Sequence, residues 1–324
     1  MRNVESLRSF EAIKVLADSR RLEILRMLMA SPATLTQLGH RLKRSAAWIR
    51  HHISTLEHVG LVQLHEIRVV GRATEKYYRA AAGALLLEQL VLPKTRLPVI
   101  IFSGSHDPAL QAVADGLGKQ QLFLTLYVGS LNGLTNLRQG VCHLSGIHLL
   151  DETGEYNRPY VRHFFADREV ELVTLAYRTQ GLILAPGNPK SVRRIQDLAR
   201  PGIRFVNRNS GSGTRLWLEA ELHRAGIDSS SIQGYSQQVS THTQAASCIQ
   251  AGKADAALGL QAAAHQGGLD FVPLFGERYD LVLPPEAENM LAPFLGYIQT
   301  AAFRASVRAM TGYDTAHSGE QIPL

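Results

Sequence analysis

The chain has 324 residues, 45% of them hydrophobic and 19% charged, which allows two or three domains with sizeable cores and excludes a disordered chain. Two distant cysteines, Cys142 and Cys248, exclude a disulfide framework, and the absence of any apolar run of about 18 residues excludes a membrane span. The net charge of +6 is uneven: residues 1–97 hold 16 Lys/Arg against 8 Asp/Glu, a balance of +8, and the remainder stands at −2. That asymmetry points to a polyanion partner for the first third.

Residues 5–17 place Leu7, Phe10, Ile13, Val15 and Leu16 near helical spacing, and Glu5, Arg8, Glu11 and Lys14 interrupt them, so this is a helix and not a signal peptide. With no leader and no disulfides, a cytoplasmic location is expected. Arg20 to Met29 form a second helix with Leu22, Leu25 and Leu28 inward, ended by Ser31-Pro32. Residues 34–42 give a short third helix. Ser45 is a suitable N-cap for a fourth, running to about Val59, with Ile49, Ile53, Leu56 and Val59 inward and Trp48, Arg50 and His51 outward. Gly60 ends it. Residues 61–70 and 74–79 read as strands joined at Gly71-Arg72-Ala73, a hairpin with a basic tip.

Helices, a helix pair with a short turn and a basic hairpin make a winged helix-turn-helix. The segments LADSRRLEILRMLM (16–29), TLTQLGHRL (34–42), SAAWIRHHISTLEHVGLV (45–62) and GRATEKYYR (71–79) resemble the ArsR-type family of transcriptional regulators. The resemblance covers about residues 8–82. It implies a double-stranded DNA operator as partner, with the 45–59 helix in the major groove and the hairpin tip on backbone or minor groove. It puts Trp48, Arg50 and His51 against bases and Arg44, Arg68, Arg72 and Lys76 against phosphates, with Ser45 in the same DNA-facing set. Metal-sensing members carry a cysteine pair on the helix that here reads TLTQLGHRL. The five histidines His40, His51, His52, His58 and His65 lack metal-site spacing, so no protein-chelated metal is expected.

Residues 83–92, GALLLEQLVL, read as a short apolar helix in a dimer contact, and Pro93 and Pro98 bracket a basic linker. The expected division is a DNA-binding domain at 1–82, a linker and dimerisation helix at 83–97, and a third segment at 98–324. A homodimer is expected through the first helix and the 84–92 helix.

From Pro98 the character changes. Apolar strands at 99–102, 122–128, 141–150, 171–188, 203–206, 254–260, 270–275 and 279–283 alternate with helices, which predicts an α/β fold with a parallel sheet. Ser103-Gly104-Ser105, Gly129-Ser130 and Ser210-Gly211-Ser212-Gly213-Thr214 each follow a strand and precede a helix, the ligand edge of an open α/β sheet. The stretch 203–219 is the most specific. A short strand, a polar turn from Asn207 to Gly213 and a helix from Thr214 point unpaired N–H groups at one spot, where the helix dipole adds positive potential. Gly211 and Gly213 let the backbone approach a ligand, Ser210, Ser212 and Thr214 add hydroxyls, and Arg208 and Arg215 add charge. This describes an anion cradle, although a capped helix after a strand has the same local pattern. Arg215 either binds the anion or braces the turn through Glu219.

The stretches 133–161, 180–219, Gly234-Tyr235, Thr241-His242, 251–259 and 269–282 resemble the periplasmic-binding-protein-like domain of bacterial regulators and of fusions to molybdopterin-biosynthesis proteins. The resemblance covers nearly all of 98–324. It implies a two-lobed type II fold, with crossings near 172–183 and 276–283, closing on a ligand. Ser103, Gly104, Ser105 and Ser130 resemble the oxyanion contacts of molybdate-binding proteins, and SGSGTR (210–215) the corresponding loop of tungstate-binding proteins. His143, His148, Tyr156, Asn157 and His242 fall in these stretches; His148 follows a strand end and either is a satisfied structural histidine, the commoner outcome, or faces the cleft. Asp151 and Glu155 have no nucleophile beside them, and SGSGT lacks a P-loop lysine, so no enzyme is expected.

The sequence thus reads as a cytoplasmic one-component transcription regulator with no cofactor, whose effector is molybdate or tungstate. A solute-binding protein for oxyanion transport and a non-catalytic ligand-binding part of molybdenum-cofactor metabolism are the alternatives.

Overall fold

Ser9, Asp18, Thr34 and Ser45 each accept a hydrogen bond from a backbone N–H two or three residues on, and a helix begins after each. These caps set the frame of the first of two compact units, Met1–Pro93 and Lys94–Leu324, into which the computed structural model divides. It describes residues 3–70, 73–87 and 90–324.

The first unit runs β1 (Val4–Leu7), α1 (Phe10–Leu16), α2 (Ser19–Ala30), β2 (Ala33–Thr34), α3 (Leu35–Leu42), α4 (Ala46–His58), β3 (Val62–Val70), β4 (Ala73–Ala80) and β5 (Ala84–Leu87). Ile24, Leu25, Leu28, Leu38, Ile49, Ile53 and Leu56 form its core, each burial contributing about 1.5–3 kcal/mol before entropy. Thr34 and Gln37 close a reciprocal capping box on α3. The turn into α4 is tight: a Cβ on Gly39 would lie 2.7 Å from the Arg44 carbonyl oxygen, and Lys43 adopts φ 53°. β2, β4 and β3 make a three-stranded wing.

Two expectations are corrected here. The helix expected over 5–17 is a strand, β1, followed by a helix that starts only at Phe10 behind its Ser9 cap. The helix expected over 83–92 is replaced by a strand at Ala84–Leu87: β5 pairs in parallel with β1, Val4↔Ala84 through Leu7↔Leu87, and 90–92 are irregular. A short apolar run does not distinguish the two states by periodicity, and the pairing partner lies at the far end of the unit. Residues 88 and 89 of that stretch, like Gly71 and Arg72 of the hairpin tip, lie outside the described residues.

The second unit begins with β6 (Val99–Gly104), α5 (Pro108–Leu117), β7 (Leu122–Tyr127), α6 (Ser130–Arg138), β8 (Leu144–Ile147), α7 (Arg158–Phe164) and β9 (Glu171–Leu184). It continues with β10 (Phe205–Arg208), α8 (Gly213–Arg224), β11 (Gln238–Val239), α9 (His242–Gln250), β12 (Ala256–Leu260), α10 (Gln261–Gln266) and β13 (Asp270–Leu283). α11 (Glu288–Ile298), α12 (Ala301–Arg308), β14 (Tyr313–Asp314) and β15 (Gln321–Ile322) close the chain. The sheet order is β11-β10-β12-β9-β13-β8-β6-β7, with β14 and β15 also on β9. One lobe is built on β6, β7 and β8, the other on β10, β11 and β12, and the 14-residue strands β9 and β13 cross between them.

The sheet is therefore mixed and not wholly parallel. β9 is antiparallel to β12 and β13, and β13 is antiparallel to β8, because the chain must cross from one lobe to the other and return. β13 is one strand through the stretch that composition splits at Gly276, with register shifts at Pro273/Phe275 and Tyr279/Asp280. The 203–206 strand reaches Arg208, since Asn207 and Arg208 pair with Gln238 and Val239 of β11. No helix among the described residues is long and apolar enough to cross a membrane.

Candidate ligand site between the lobes and candidate DNA-binding face

The three polar turns meet between the lobes. The Leu131 N–H donates to the Gly211 carbonyl at 3.2 Å, joining the α6 start to the α8 start. A Cβ on Gly129 would lie 2.9 Å from Gly211 backbone, and one on Gly213 would overlap the His148 carbonyl, so only glycine permits this approach. The Ser105 and Ser130 hydroxyls lie 2.9 Å apart, and Ser130 Oγ accepts the His148 N–H at 3.2 Å. Thr214 donates its hydroxyl to Gln180 at 3.0 Å.

The remaining sequence-derived positions divide. Ser103 is buried, but its Oγ accepts from Asn136 of α6 at 2.9 Å, and Gly104 ends β6 against Gly146. Ser210 is exposed, with its N–H on Gln238. Ser212 is the α8 cap and accepts from the Arg215 N–H at 3.3 Å. Arg215 braces the turn: Nε donates to Glu219 at 2.8 Å and the guanidinium lies 5.2 Å from the Tyr235 ring centre. We expect Ser212→Ala to cost about 1 kcal/mol of stability through the lost cap, read as a lowered denaturation midpoint.

Arg208 is the unusual group. It is 1% exposed. Its guanidinium donates to the Ser240 carbonyl at 2.9 Å and the Val239 carbonyl at 3.4 Å, and Nη1 lies 2.8 Å from His242 Nδ1. No carboxylate among the described residues pairs with it. Burial, reinforced by the Arg178 charge, pulls its pKa down to about 9. Burial also keeps the neighbouring histidines neutral: His242 is pushed far below its ordinary value, with Arg208 adding to the effect, and His106 falls to about 4.

A second buried arginine is paired with two carboxylates. Arg178 on β9 donates Nε to Glu277 Oε1 at 2.6 Å, its direct cross-strand partner on β13, and Nη1 to Asp107. Gln180 donates to the same Glu277 oxygen at 2.6 Å, and His148 Nδ1 lies 2.8 Å from Oε2. Burial raises the Glu277 carboxyl, but the Arg178 charge and then His148 outweigh it and hold it at about 2. Tyr313 donates to Asp107 at 2.8 Å, and Tyr279 to the Ser105 carbonyl at 2.6 Å. His148 Nε2, His106 Nδ1 and Arg178 Nη2 are buried with no hydrogen-bond partner among the described residues. A cavity of about 780 Å³ borders the site, with His106 and Thr243 in its lining.

Arg178, Gln180, Glu277, His106 and Asp107 were not expected from the sequence. Arg178 had a signal: it is a charge inside a long, mostly apolar strand. His143 is structural, accepting the Ile101 N–H at 3.0 Å. Asp151 caps its own turn, accepting from Thr153 and Glu155. No group of His, Cys, Asp and Glu among the described residues could hold a metal ion.

On the first unit, Arg50 and His51 are exposed on α4, together with Ala47 and Ser54. Ser45 caps the helix, accepting from the Trp48 N–H at 3.2 Å. Trp48 does not share the outer face. It is half-buried, packs on the core, and meets the His52 ring edge-on at 4.1 Å, because positions 48 and 52 lie one turn apart on the flank. The Arg44 guanidinium is 5.5 Å from its ring centre. On the wing, Lys76 is exposed, and Arg68 pairs with Glu66 at 2.5 Å over the Tyr77 ring.

Comparison with known proteins matches two families. Residues 18–63 match the bacterial regulatory protein family arsR, and residues 114–299 match the PBP superfamily domain. The uncharacterised protein YvgK of Bacillus subtilis (strain 168) is 38% identical over 204 residues, which cover 63% of this chain and 66% of that protein. An uncharacterised protein from the 5′ region of a 2Fe-2S ferredoxin gene of Clostridium pasteurianum is 34% identical over 112 residues, covering 33% of this chain and 97% of that one. Among solved structures, a putative phosphate ABC-transporter substrate-binding protein with bound phosphate from Clostridium perfringens has a TM-score of 0.47 at 16% identity, covering 65% and 97% of the two chains. PhnD1 of Prochlorococcus marinus (MIT 9301) in complex with methylphosphonate gives 0.45 at 15% identity, covering 68% and 93%. The chain belongs to the PBP superfamily and carries, ahead of that domain, the DNA-binding helix-turn-helix segment of the arsR regulators.

Proposed function

We propose that this protein is a one-component transcription regulator that senses a small oxyanion, molybdate or tungstate, between the lobes of its second unit. DNA binding rests on residues 1–82 and sensing on 98–324. The observation that carries the sensing role is Arg208: a guanidinium buried without a carboxylate partner among the described residues, among neutral histidines, at the start of α9. Charged groups are rarely buried unless paired, so a site of this kind suits an anion as the partner. Ser105, Ser130 and Thr214 supply hydroxyls at the joined turns, and Ser103 and Arg215 hold the surrounding structure. Arg50 and His51 read bases while Arg44, Arg68, Arg72 and Lys76 meet phosphates. The protein acts in the cytoplasm as a homodimer on a twofold operator. The exposed Val4, Leu86 and Leu87 beside the β1–β5 pair support self-association.

Calorimetry of the full chain with molybdate, tungstate, sulfate and phosphate tests the ligand class. Saturable binding of molybdate or tungstate, tighter than sulfate by tenfold or more, is the expected result. Binding of an organic carboxylate alone would move the ligand class, and heat from none of these would remove the anion reading.

A further inference from the structure

We propose that anion binding takes up one proton on Nε2 of His148, so that the bound anion faces an imidazolium held from behind by Glu277. The inference rests on the anion reading of this site and adds its protonation chemistry. It begins with a tautomer. Glu277 Oε1 accepts from Arg178 and Gln180, each at 2.6 Å, and Oε2 lies 2.8 Å from His148 Nδ1. An ionised carboxylate only accepts, so the histidine proton sits on Nδ1. Nε2 is then a bare lone pair. It is buried and without a partner among the described residues, on a residue 2% exposed.

The ring is fixed between Gly213 at the α8 start and the Tyr279 ring, stacked at 6.0 Å. The charged and titratable groups around it are Glu277 and Tyr279 on β13, Arg178 on β9, Arg208 on β10 and His242 on α9. α6 offers Ser130 and α8 offers Gly213, neither of which titrates. Burial holds the empty ring neutral. Glu277 opposes it, and Arg178 and Arg208 add to it. Because the Arg208 charge reaches His148, an anion seated on Arg208 acts on the ring with the opposite sign. An oxyanion also offers only acceptors, which a bare Nε2 repels and an Nε2–H binds. For molybdate or tungstate the proton comes from solvent. For an anion that carries its own, such as hydrogenphosphate, the ligand delivers it. No covalent bond changes beyond that transfer.

Calorimetry of the full chain with molybdate and with tungstate, in buffers of different ionisation heat, reads the proton directly. Uptake of about one proton per anion is expected, with affinity falling up to about tenfold per pH unit above neutrality. His148→Gln should bind more weakly and lose both the uptake and the pH dependence. Zero uptake with affinity flat from about pH 6 to about pH 8 overturns the inference and leaves the anion reading standing. Long-range proton–nitrogen spectra of the unliganded wild-type chain give a test that needs no variant. The Nδ1–H tautomer of His148 supports the inference, and an Nε2–H tautomer or an imidazolium overturns it. If neither anion binds, the anion reading fails and this inference fails with it.

Discussion

Arg208→Met is expected to lose anion affinity by at least about 100-fold while melting no earlier than the wild-type chain in the absence of anion. The two halves of that result have one cause. A buried guanidinium with no carboxylate is a cost to the folded state, and burial pulls its pKa from the ordinary arginine range down to about 9. At neutral pH the group is still charged, so the cost, on the order of a few kcal/mol, is fully present. It is relieved only as pH rises above about 9 toward the ordinary arginine range, where the unfolded chain binds the extra proton. Methionine removes the charge and leaves the Ser240 carbonyl without its arginine donor, a loss of about 1 kcal/mol, while the Val239 carbonyl keeps the Asn209 N–H at 3.0 Å. The sum lies near zero or is slightly stabilising. Thermal denaturation with and without molybdate reads both halves together. A variant that melts well below wild type, yet still gains stability from molybdate, would assign Arg208 to structure and not to ligand.

Arg178→Met should behave in the opposite way. It is equally buried, but its removal strands Glu277 and Asp107 without their cation. Breaking a buried pair from one side costs about 3–5 kcal/mol, and a loss of that size lowers the melting temperature by roughly 10 °C in a domain of this length. The same network sets an acid limit. The Glu277 pKa is lowered from 4.5 to about 2, so its contribution is fully present above pH 4.5 and is lost as pH falls from 4.5 to about 2. Urea denaturation of wild type and variant at neutral pH, and of wild type across that acid window, checks both statements. Equal stability of Arg178→Met and wild type would contradict the role assigned to the network.

The contrast between these arginines shows what the sequence carried. The winged helix was legible because its signals are local: Ser45 before an apolar stripe, the break at Ser31-Pro32, the strands around Gly71. The turns after β6, β7 and β10 were legible because glycine and serine between a strand and a helix mark the ligand edge wherever they occur. The α8 turn was half legible: Arg208 and Thr214 were read as neighbours of the turn, but their partners were not. Those partners come from pairings distant in sequence. Glu277 meets Arg178 across two long strands, and His148 meets Glu277 from another lobe edge. Nothing in the spacing of 148, 178, 208 and 277 announces that they share one space. The strand at 84–87 was lost for the same reason, since its identity depends on β1. Charge was the overlooked clue. An arginine within ELVTLAYRTQGLIL must find a buried partner, and that demand alone pointed to an interior network.

The central claim, that anion occupancy of the second unit governs DNA binding by the first, is tested most directly by one titration. Fluorescence anisotropy of a duplex from the region upstream of the chain's own gene is followed as full-length protein is added, at fixed salt, with and without saturating molybdate or tungstate. The account predicts a change in operator affinity of roughly 5- to 150-fold, the usual size of such coupling, and no change for Arg208→Met. Identical operator affinity with and without an anion that calorimetry shows to be bound would contradict it.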